Sequence, residues 1–185
     1  VSFNSHVTGI PYTKMFNNLL NVEDWKVGGT GTQGSFSRNG RSDENSIILG
    51  TGPQGTTEVL WQANSVDGNA DGGWNVYTGT QGFDDKKTYR STVWMKQTST
   101  NGKLYHGCSS GSSGTTYNLG GGQNTNPYFW ANDLPQLNKW YLAVGIIHGS
   151  GYTGSNTNQS GIYDPDTGQR VMAGTEYRNA PGATQ

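Results

Sequence analysis

The chain has 185 residues, and 12 Lys and Arg against 13 Asp and Glu give it a net charge of −1. This balance excludes a general electrostatic attraction to nucleic acid or to an anionic membrane surface, and the length suits one domain. Charged residues are only 14% of the chain and 29 residues are glycine, which excludes helical bundles, coiled coils and charged disordered tails. Low charge, abundant glycine and 11% aromatic residues are typical of an extracellular all-β domain with long polar loops.

Cys108 is the only cysteine, so an intrachain disulfide is excluded and stability must come from packing or bound ions. No apolar run approaches the roughly 18 residues that a membrane span needs, so no membrane insertion is expected. The sequence begins Val1-Ser2-Phe3 without a methionine, which is typical of a processed product or a fragment.

Residues 1–23 are predicted to be an irregular lead-in, or an arm exchanged between copies, and residues 24–185 a single β-sandwich domain. From Trp25 onward, short alternating runs separated by Gly, Asn, Ser and Thr recur at intervals of about ten to fifteen residues. This pattern predicts an antiparallel β-sandwich of the jelly-roll type. The predicted strands are, in order, 34–37, 45–49, 57–63, 88–97, 103–108, 116–119, 140–148, 161–163 and 170–173.

Two of these strands are the most informative. Along 88–97, Tyr89, Ser91, Val93 and Met95 alternate with a second set that includes Trp94, so one face is predicted to be buried. The strand 140–148 is apolar on both faces and is therefore predicted to lie in the middle of its sheet, with 57–63 and 88–97 among its neighbours.

Asp67-Gly68-Asn69-Ala70-Asp71-Gly72 is the most specific local pattern. It places side-chain oxygens of Asp67, Asn69 and Asp71 at positions 1, 3 and 5 of a loop, followed by glycine, as in the first half of a calcium loop. Position 12 is Thr78, which excludes an EF-hand and requires a further carboxylate from elsewhere. The candidates for that carboxylate are Glu58, Asp84 and Asp85. The sequence predicts calcium here, and the alternative is a loop of Asx turns.

A second acidic loop, 164–168, lies between two predicted strands. Its sequence Asp-Pro-Asp-Thr-Gly is typical of a tight hairpin turn, and a plain turn is the interpretation that we favour.

Four rings in predicted loops are candidates for stacking on sugars: Trp74, Tyr128, Trp130 and Tyr152. Flat rings pack on the apolar C–H faces of sugars, and neighbouring Asn and Asp bind hydroxyls. Core packing is the alternative for each ring, although Tyr152 stands among Gly, Ser and Thr and is expected to be exposed. The remaining indoles, Trp25, Trp61, Trp94 and Trp140, are assigned to the core. For Trp94, which alternates with Arg90 and Lys96, an exposed concave face is the alternative.

No catalytic residue is predicted. Acid pairs can be assembled from Asp43, Glu44 and Glu58, but any chain with 13 acids offers such pairs, and no glycosidase spacing is present. His148 and Tyr152 are four residues apart without the flanking pattern of a polysaccharide lyase. Cys108 is expected to be a small core residue.

The sequence also resembles a known kind of module. The resemblance covers roughly residues 24–185. It begins with Trp25, Phe36, Asn39-Gly40 and Glu44-Asn45. It continues with DGGWN at 71–75, TYRSTVW at 88–94, NPYFW at 126–130, LNKWYL at 137–142, GSGYTG at 149–154 and GIYD at 161–164. Together they resemble a jelly-roll, carbohydrate-binding-module-like domain that occurs in tail-fibre-like proteins of marine phages and in large bacterial surface adhesins. The resemblance implies surface attachment, on a virion or a cell.

Modules of this kind continue into one or two further strands after a segment like 176–185. We therefore expect an open sheet edge that a neighbouring copy or partner fills, with 1–12 able to supply the strand; the alternative is that 174–185 folds back as the closing strand. The predicted function is non-catalytic recognition of a cell-surface glycan. A strand-exchanged structural subunit of an extracellular fibre or capsid is the first alternative, and a polysaccharide-active enzyme is the second.

Overall fold

The computed structural model describes residues 25–31, 34–76, 83–108 and 116–182. Within these ranges the chain is all-β, with several sheets, one 3-10 turn at Ser42–Glu44 and no α-helix, and therefore no helix that could cross a membrane. The described strands are β1 Phe36–Asn39, β2 Asn45–Thr51, β3 Thr57–Ala63, β4 Gly73–Val76, β5 Tyr89–Lys96, β6 Leu104–Gly107, β7 Thr116–Asn118, β8 Gln123–Asn124, β9 Tyr128–Asn132, β10 Trp140–His148, β11 Gly161–Tyr163, β12 Arg170–Ala173 and β13 Tyr177–Asn179.

The largest sheet in the described part of the chain has seven strands arranged around β10. β5 pairs with β10 along nearly its whole length. Residues of β10 that pair with β5 also pair with β11 near Leu142 and with β13 at Ile147, so β11 and β13 share the opposite edge of β10. β12 extends the sheet beyond β11, and β7 and β8 extend it beyond β13.

The two faces of this sheet differ. The core face carries Tyr141, Ala143 and Ile147 of β10, which pack with residues of β9, β11 and β13 in two apolar clusters. The second face carries the intervening residues of β10 and their partners on adjacent strands, because directly paired residues point to the same side of a sheet. Since β10 is also buried along most of its length, its predicted central position is confirmed.

β6 and β9 pair with each other and cover the core face. The register shifts by one residue at Phe129, because His106 lies opposite Trp130 and Gly107 lies opposite Tyr128. Such a bulge reorients the side chains of its strand. Phe129 and Trp130 are consecutive and yet both buried, at 1% and 6% exposure.

Two smaller pairs, β1 with β4 and β2 with β3, are joined by aromatic rings and one buried amide. Asn45 is 2% exposed; its Oδ1 accepts from Trp61 Nε1 and from the backbone N of Gly73, both at 2.8 Å, and its Nδ2 donates to the carbonyl oxygens of Asn39 and Arg41. A buried amide with all these groups paired fixes the relative position of both pairs of strands.

All nine predicted strands are present, with ends that differ by up to two residues. One predicted neighbour is wrong: 57–63 does not lie beside β10 but pairs with β2. The turn between β2 and β3 explains this, because Gly52 donates to Thr56 and Gly55 adopts a φ of 77°, which closes a local hairpin. The strands that the sequence did not predict are β4, β8, β9 and β13.

The segment after residue 174 supplies an internal strand. β13 lies between β10, to which it is parallel, and β7, to which it is antiparallel. This position agrees with the alternative in which 174–185 folds back as a strand, as far as the described residues extend, to 182. An open sheet edge that a neighbouring copy or partner fills stays a prediction. The predicted lead-in or exchanged arm, 1–23, lies outside the described residues.

Candidate functional site

The predicted calcium loop is held by protein groups. Asp67 Oδ1 accepts from the backbone N of Asn69 at 2.8 Å, which is an Asx turn, and Oδ2 is ion-paired with Arg41 Nη2 at 2.8 Å. The Asn69 amide first and the Arg41 guanidinium second lower the pKa of the Asp67 carboxyl. A calcium ion that used Asp67 would therefore compete with Arg41.

Asp71 lies beside a different carboxylate, Glu44. Asp71 Oδ1 and Glu44 Oε2 both border the space next to the Cα of Gly40, and the buried Glu44 is ion-paired with Arg41 at 3.0 Å. The loop is thus fastened to the start of β2 by Arg41 and Glu44.

The carboxylates proposed to complete the calcium site lie elsewhere. Glu58 accepts from Thr56 Oγ1, Asp84 is 3.8 Å from Lys87 Nζ, and the pKa of Asp85 is lowered first by a hydrogen bond from Ser150. Among the described residues no three His, Cys, Asp or Glu side chains converge as metal ligands.

The second acidic loop forms the predicted hairpin turn between β11 and β12. Asp164 Oδ1 accepts from the Asp166 backbone N, and Gly168 adopts a φ of 68°. Lys139 Nζ lies 2.9 Å from Asp164 and 2.7 Å from Asp166, an ion pair that the sequence did not predict. The plain turn is confirmed.

Trp74 packs among other rings in the described part of the chain. Its ring meets Phe36 edge to face at a centroid distance of 5.1 Å, and Trp25 links this pair to Trp61 at 5.3 Å. Trp74 is half-buried in this cluster.

Trp130 belongs to the core face. It is 6% exposed and contacts a cluster that contains Leu134, Tyr141 and Ile162. The structure therefore favours core packing over sugar stacking for this ring.

Tyr152 is half-buried, not exposed as the sequence indicated. Its ring stacks on His148 at a centroid distance of 3.9 Å, and its hydroxyl donates to Ser155 O. His148 Nε2 in turn lies 2.9 Å from Glu176 Oε2. Tyr152 thereby helps to fasten its own loop to the end of β10.

Glu176 is the centre of that attachment. Its carboxylate is 1% exposed and accepts from the backbone N of Thr157 and of Gln159, each at 2.8 Å, besides its contact with His148. Burial alone raises the pKa of Glu176, but these hydrogen bonds outweigh burial and lower the pKa to about 2. The sequence analysis did not single out Glu176.

Tyr128 is the predicted ring that the structure leaves open to solvent. It is 37% exposed and contacts Tyr105, which is 55% exposed, at a centroid distance of 5.0 Å. Tyr105 was missed, although alternation in 103–108 places it on the face opposite Leu104 and His106. We call these two rings the tyrosine pair.

A groove of about 390 Å³ adjoins the tyrosine pair, between β9 and the segment from β12 to Thr175. Its lining includes Tyr128, Asn132 and Val171, and Val171 is 45% exposed. The groove therefore offers apolar surface and an amide side chain beside an exposed ring.

The described residues contain one serine–histidine contact that could suggest catalysis. Ser91 Oγ lies 2.9 Å from His106 Nε2, His106 is 5% exposed, and burial lowers its pKa to about 4. None of the described residues bonds to Nδ1, so none of them orients the imidazole as the acid of a catalytic triad does. The geometry is that of a hydrogen-bonded core pair.

Cys108 packs against the cluster of Phe129, Ile147 and Tyr177. Burial raises the pKa of its thiol to about 12, so the thiol is protonated at neutral pH. This position agrees with the prediction that Cys108 is a small core residue.

Three comparisons with known proteins found no relative of this chain. No family model, no curated protein and no solved structure matches the chain.

Proposed function

We propose that this chain is a non-catalytic recognition module that binds a surface glycan through the tyrosine pair and the adjoining groove. The observation that carries the proposal is the pair itself: two large rings in contact with each other and open to solvent, on strands whose opposite face builds the core. Rings in such positions offer flat apolar area to a ligand without loss of core packing.

The position of Tyr128 is fixed before any ligand arrives. Its backbone oxygen accepts from the phenolic hydroxyl (Oη) of Tyr177 at 2.7 Å, and its ring lies so close to Gly107 that a Cβ there would be 2.8 Å from Tyr128 Cδ1. A ring held in this way loses little conformational entropy on binding.

The resemblance to jelly-roll modules of phage fibres and bacterial adhesins supports the same function. It also supports a finer description of the all-β fold as a jelly-roll sandwich and a location on a virion or cell surface. A larger fibre protein and further copies of the chain are the protein partners that such a role implies.

We expect Tyr105→Ala combined with Tyr128→Ala to weaken glycan binding by about tenfold or more, because each substitution removes a stacking contact that contributes about 1 kcal/mol to binding. The measurement is a glycan array with the wild type, followed by isothermal titration of both proteins with the best neutral oligosaccharide.

The control is Leu49→Ala combined with Val59→Ala, which removes two exposed apolar side chains that face each other across β2 and β3. Equal weakening in both double variants would contradict the proposal. If the wild type self-associates in light scattering and this control does not, the alternative function, a structural subunit of a fibre or capsid, is favoured over glycan recognition. Release of oligosaccharide during the same incubations would favour the enzyme.

Calcium binding by Asp67, Asn69 and Asp71 remains a prediction. We expect excess calcium to raise the melting temperature above that measured with chelator, because only the folded chain would present the site. Asp67→Asn should abolish the increase, and Asp166→Asn, a loss of the same charge in the other acidic loop, should retain it. An unchanged melting temperature in the wild type would refute calcium binding.

A further inference from the structure

The second face of the seven-stranded sheet carries four cationic side chains. Arg90 and Lys96 of β5 lie opposite Ile146 and Trp140 of β10, and all four point away from the core. The same face continues on the other side of β10: Arg170 lies opposite Tyr163, and Arg178 lies between His148 and Tyr117. No strand position on this face within the described sheet is occupied by Asp or Glu.

These cations lack carboxylate partners in the part of the chain that the structure describes. Of the ion pairs there, only the contact between His148 and Glu176 lies on the second face, and none involves Arg90, Lys96, Arg170 or Arg178. Arg90 is exposed, and the other three cations are partly exposed. Their charge is therefore available to a ligand.

Rings and carbonyl groups hold three of the cations in place. Lys96 Nζ lies 4.8 Å from the centroid of the Trp140 ring, and Arg178 Cζ lies 4.7 Å from that of Tyr117. Arg170 Nη1 donates to Ser160 O at 3.1 Å. These contacts orient the side chains and leave their charge uncompensated.

The dimensions of the face fit an extended chain. Lys96 lies opposite Trp140 and Arg178 opposite His148, eight residues further along β10, or about 27 Å; the Tyr152 ring covers His148 at that end. Across the sheet, β5 and β12 are three strand spacings apart, or about 14 Å. Val144 and Ile146, both buried, form the floor between the cations.

We propose that the second face is a binding site for an acidic polysaccharide, in which the four cations pair with carboxylate or sulfate groups and the partly exposed rings contact sugars. The cations and the anions are complementary in charge, although the whole chain is slightly negative. This site is separate from the tyrosine pair, and its test does not depend on the function proposed there.

A nucleic acid is the less suitable polyanion. One strand of a DNA duplex carries a phosphate every 3.4 Å or so, which calls for a dense track of cations. Four cations distributed over about 27 Å by about 14 Å correspond to the lower charge density of a polysaccharide in which only some groups are charged.

The experiment measures binding of polygalacturonate, dextran sulfate, neutral dextran and an oligo(dT) by affinity electrophoresis and titration at low and physiological salt. The first two probes distinguish carboxylate from sulfate as the preferred anion. We expect the wild type to bind at least one acidic polysaccharide, more weakly as salt rises, and to ignore dextran. Arg90→Gln with Lys96→Gln should weaken that binding by about tenfold.

The matched control is Lys86→Gln with Lys103→Gln, which removes two exposed cations that occupy no strand position of this face. It should change the affinity by less than about twofold, and melting curves establish that both double variants are folded. Arg178→Gln is a second variant, on the other side of β10 from Arg90, and should also weaken binding. Equal losses in the control, failure to bind either acidic polysaccharide, or tighter binding of oligo(dT) would each overturn the proposal.

Discussion

Replacing Gly145 by alanine is expected to lower the free energy of unfolding by about 3 kcal/mol, the upper end of the usual cost of overpacking a core. Gly145 lies on the core face of β10, opposite Ser91, and a Cβ there would overlap the ring of Phe129. Phe129 is 1% exposed and cannot move without displacing its neighbours Ile147 and Tyr177. Chemical denaturation of both proteins measures the difference.

Gly102→Ala is the control, because a Cβ at this exposed position meets nothing within 4 Å. It should change the free energy of unfolding by less than about 0.5 kcal/mol. If overlap with the ring is the cause, Gly145→Ala should cost less in a Phe129→Leu background than in the wild type. Equal costs in both backgrounds would contradict the explanation.

Glu176→Gln is expected to lower the free energy of unfolding by about 3 kcal/mol at neutral pH. The buried carboxylate accepts from two backbone N–H groups and contacts His148. The amide of glutamine has only one accepting oxygen, so it cannot make all of these contacts, and a buried group is left unpaired. The lowered pKa leads to the same magnitude: a decrease from 4.5 to about 2 corresponds to about 3 kcal/mol.

The pH dependence gives an independent check. Because the pKa of Glu176 is lower in the folded protein than its ordinary value of 4.5, its stabilisation is complete above about pH 4.5 and is lost as pH falls towards 2. The difference in stability between wild type and Glu176→Gln should therefore shrink across this window. Glu58→Gln, at a partly exposed carboxylate, is the matched control and should have a small effect. A difference that stays constant from pH 6 to pH 2 would refute the assignment.

The sequence predicted strands well where period and composition agreed. β10 and β3 were predicted with their observed ends, because each is an uninterrupted run rich in apolar or β-branched residues. β9 was missed because its bulge breaks the alternation that identifies a half-buried strand. β13 is only three residues long and is held by neighbours that are distant in the chain, which local periodicity does not report.

The candidate sites were harder to predict than the strands. Composition identified the rings, but whether a ring is exposed depends on its partners: Trp130 meets Tyr141 and Ile162, whereas Tyr128 meets Tyr105 at the surface. Likewise Asp67 lies in the predicted loop, but its partner Arg41 is 26 residues away in sequence. The cations of the second face come from three strands, and only Arg90 and Lys96 share a strand and so form a local pattern.

The position of β13 also affects how the protein is made. The hairpin of β7 and β8 joins the large sheet through β13, which follows β7 in the chain by about sixty residues. During synthesis, the edge of β7 that β8 leaves open can therefore be paired only after the ribosome has released residues 177–179. Pairing over such a separation carries a high loop-closure cost and slows folding. The nascent chain spends this interval with an unpaired strand edge, which makes it the stage at which association with other chains is most favoured.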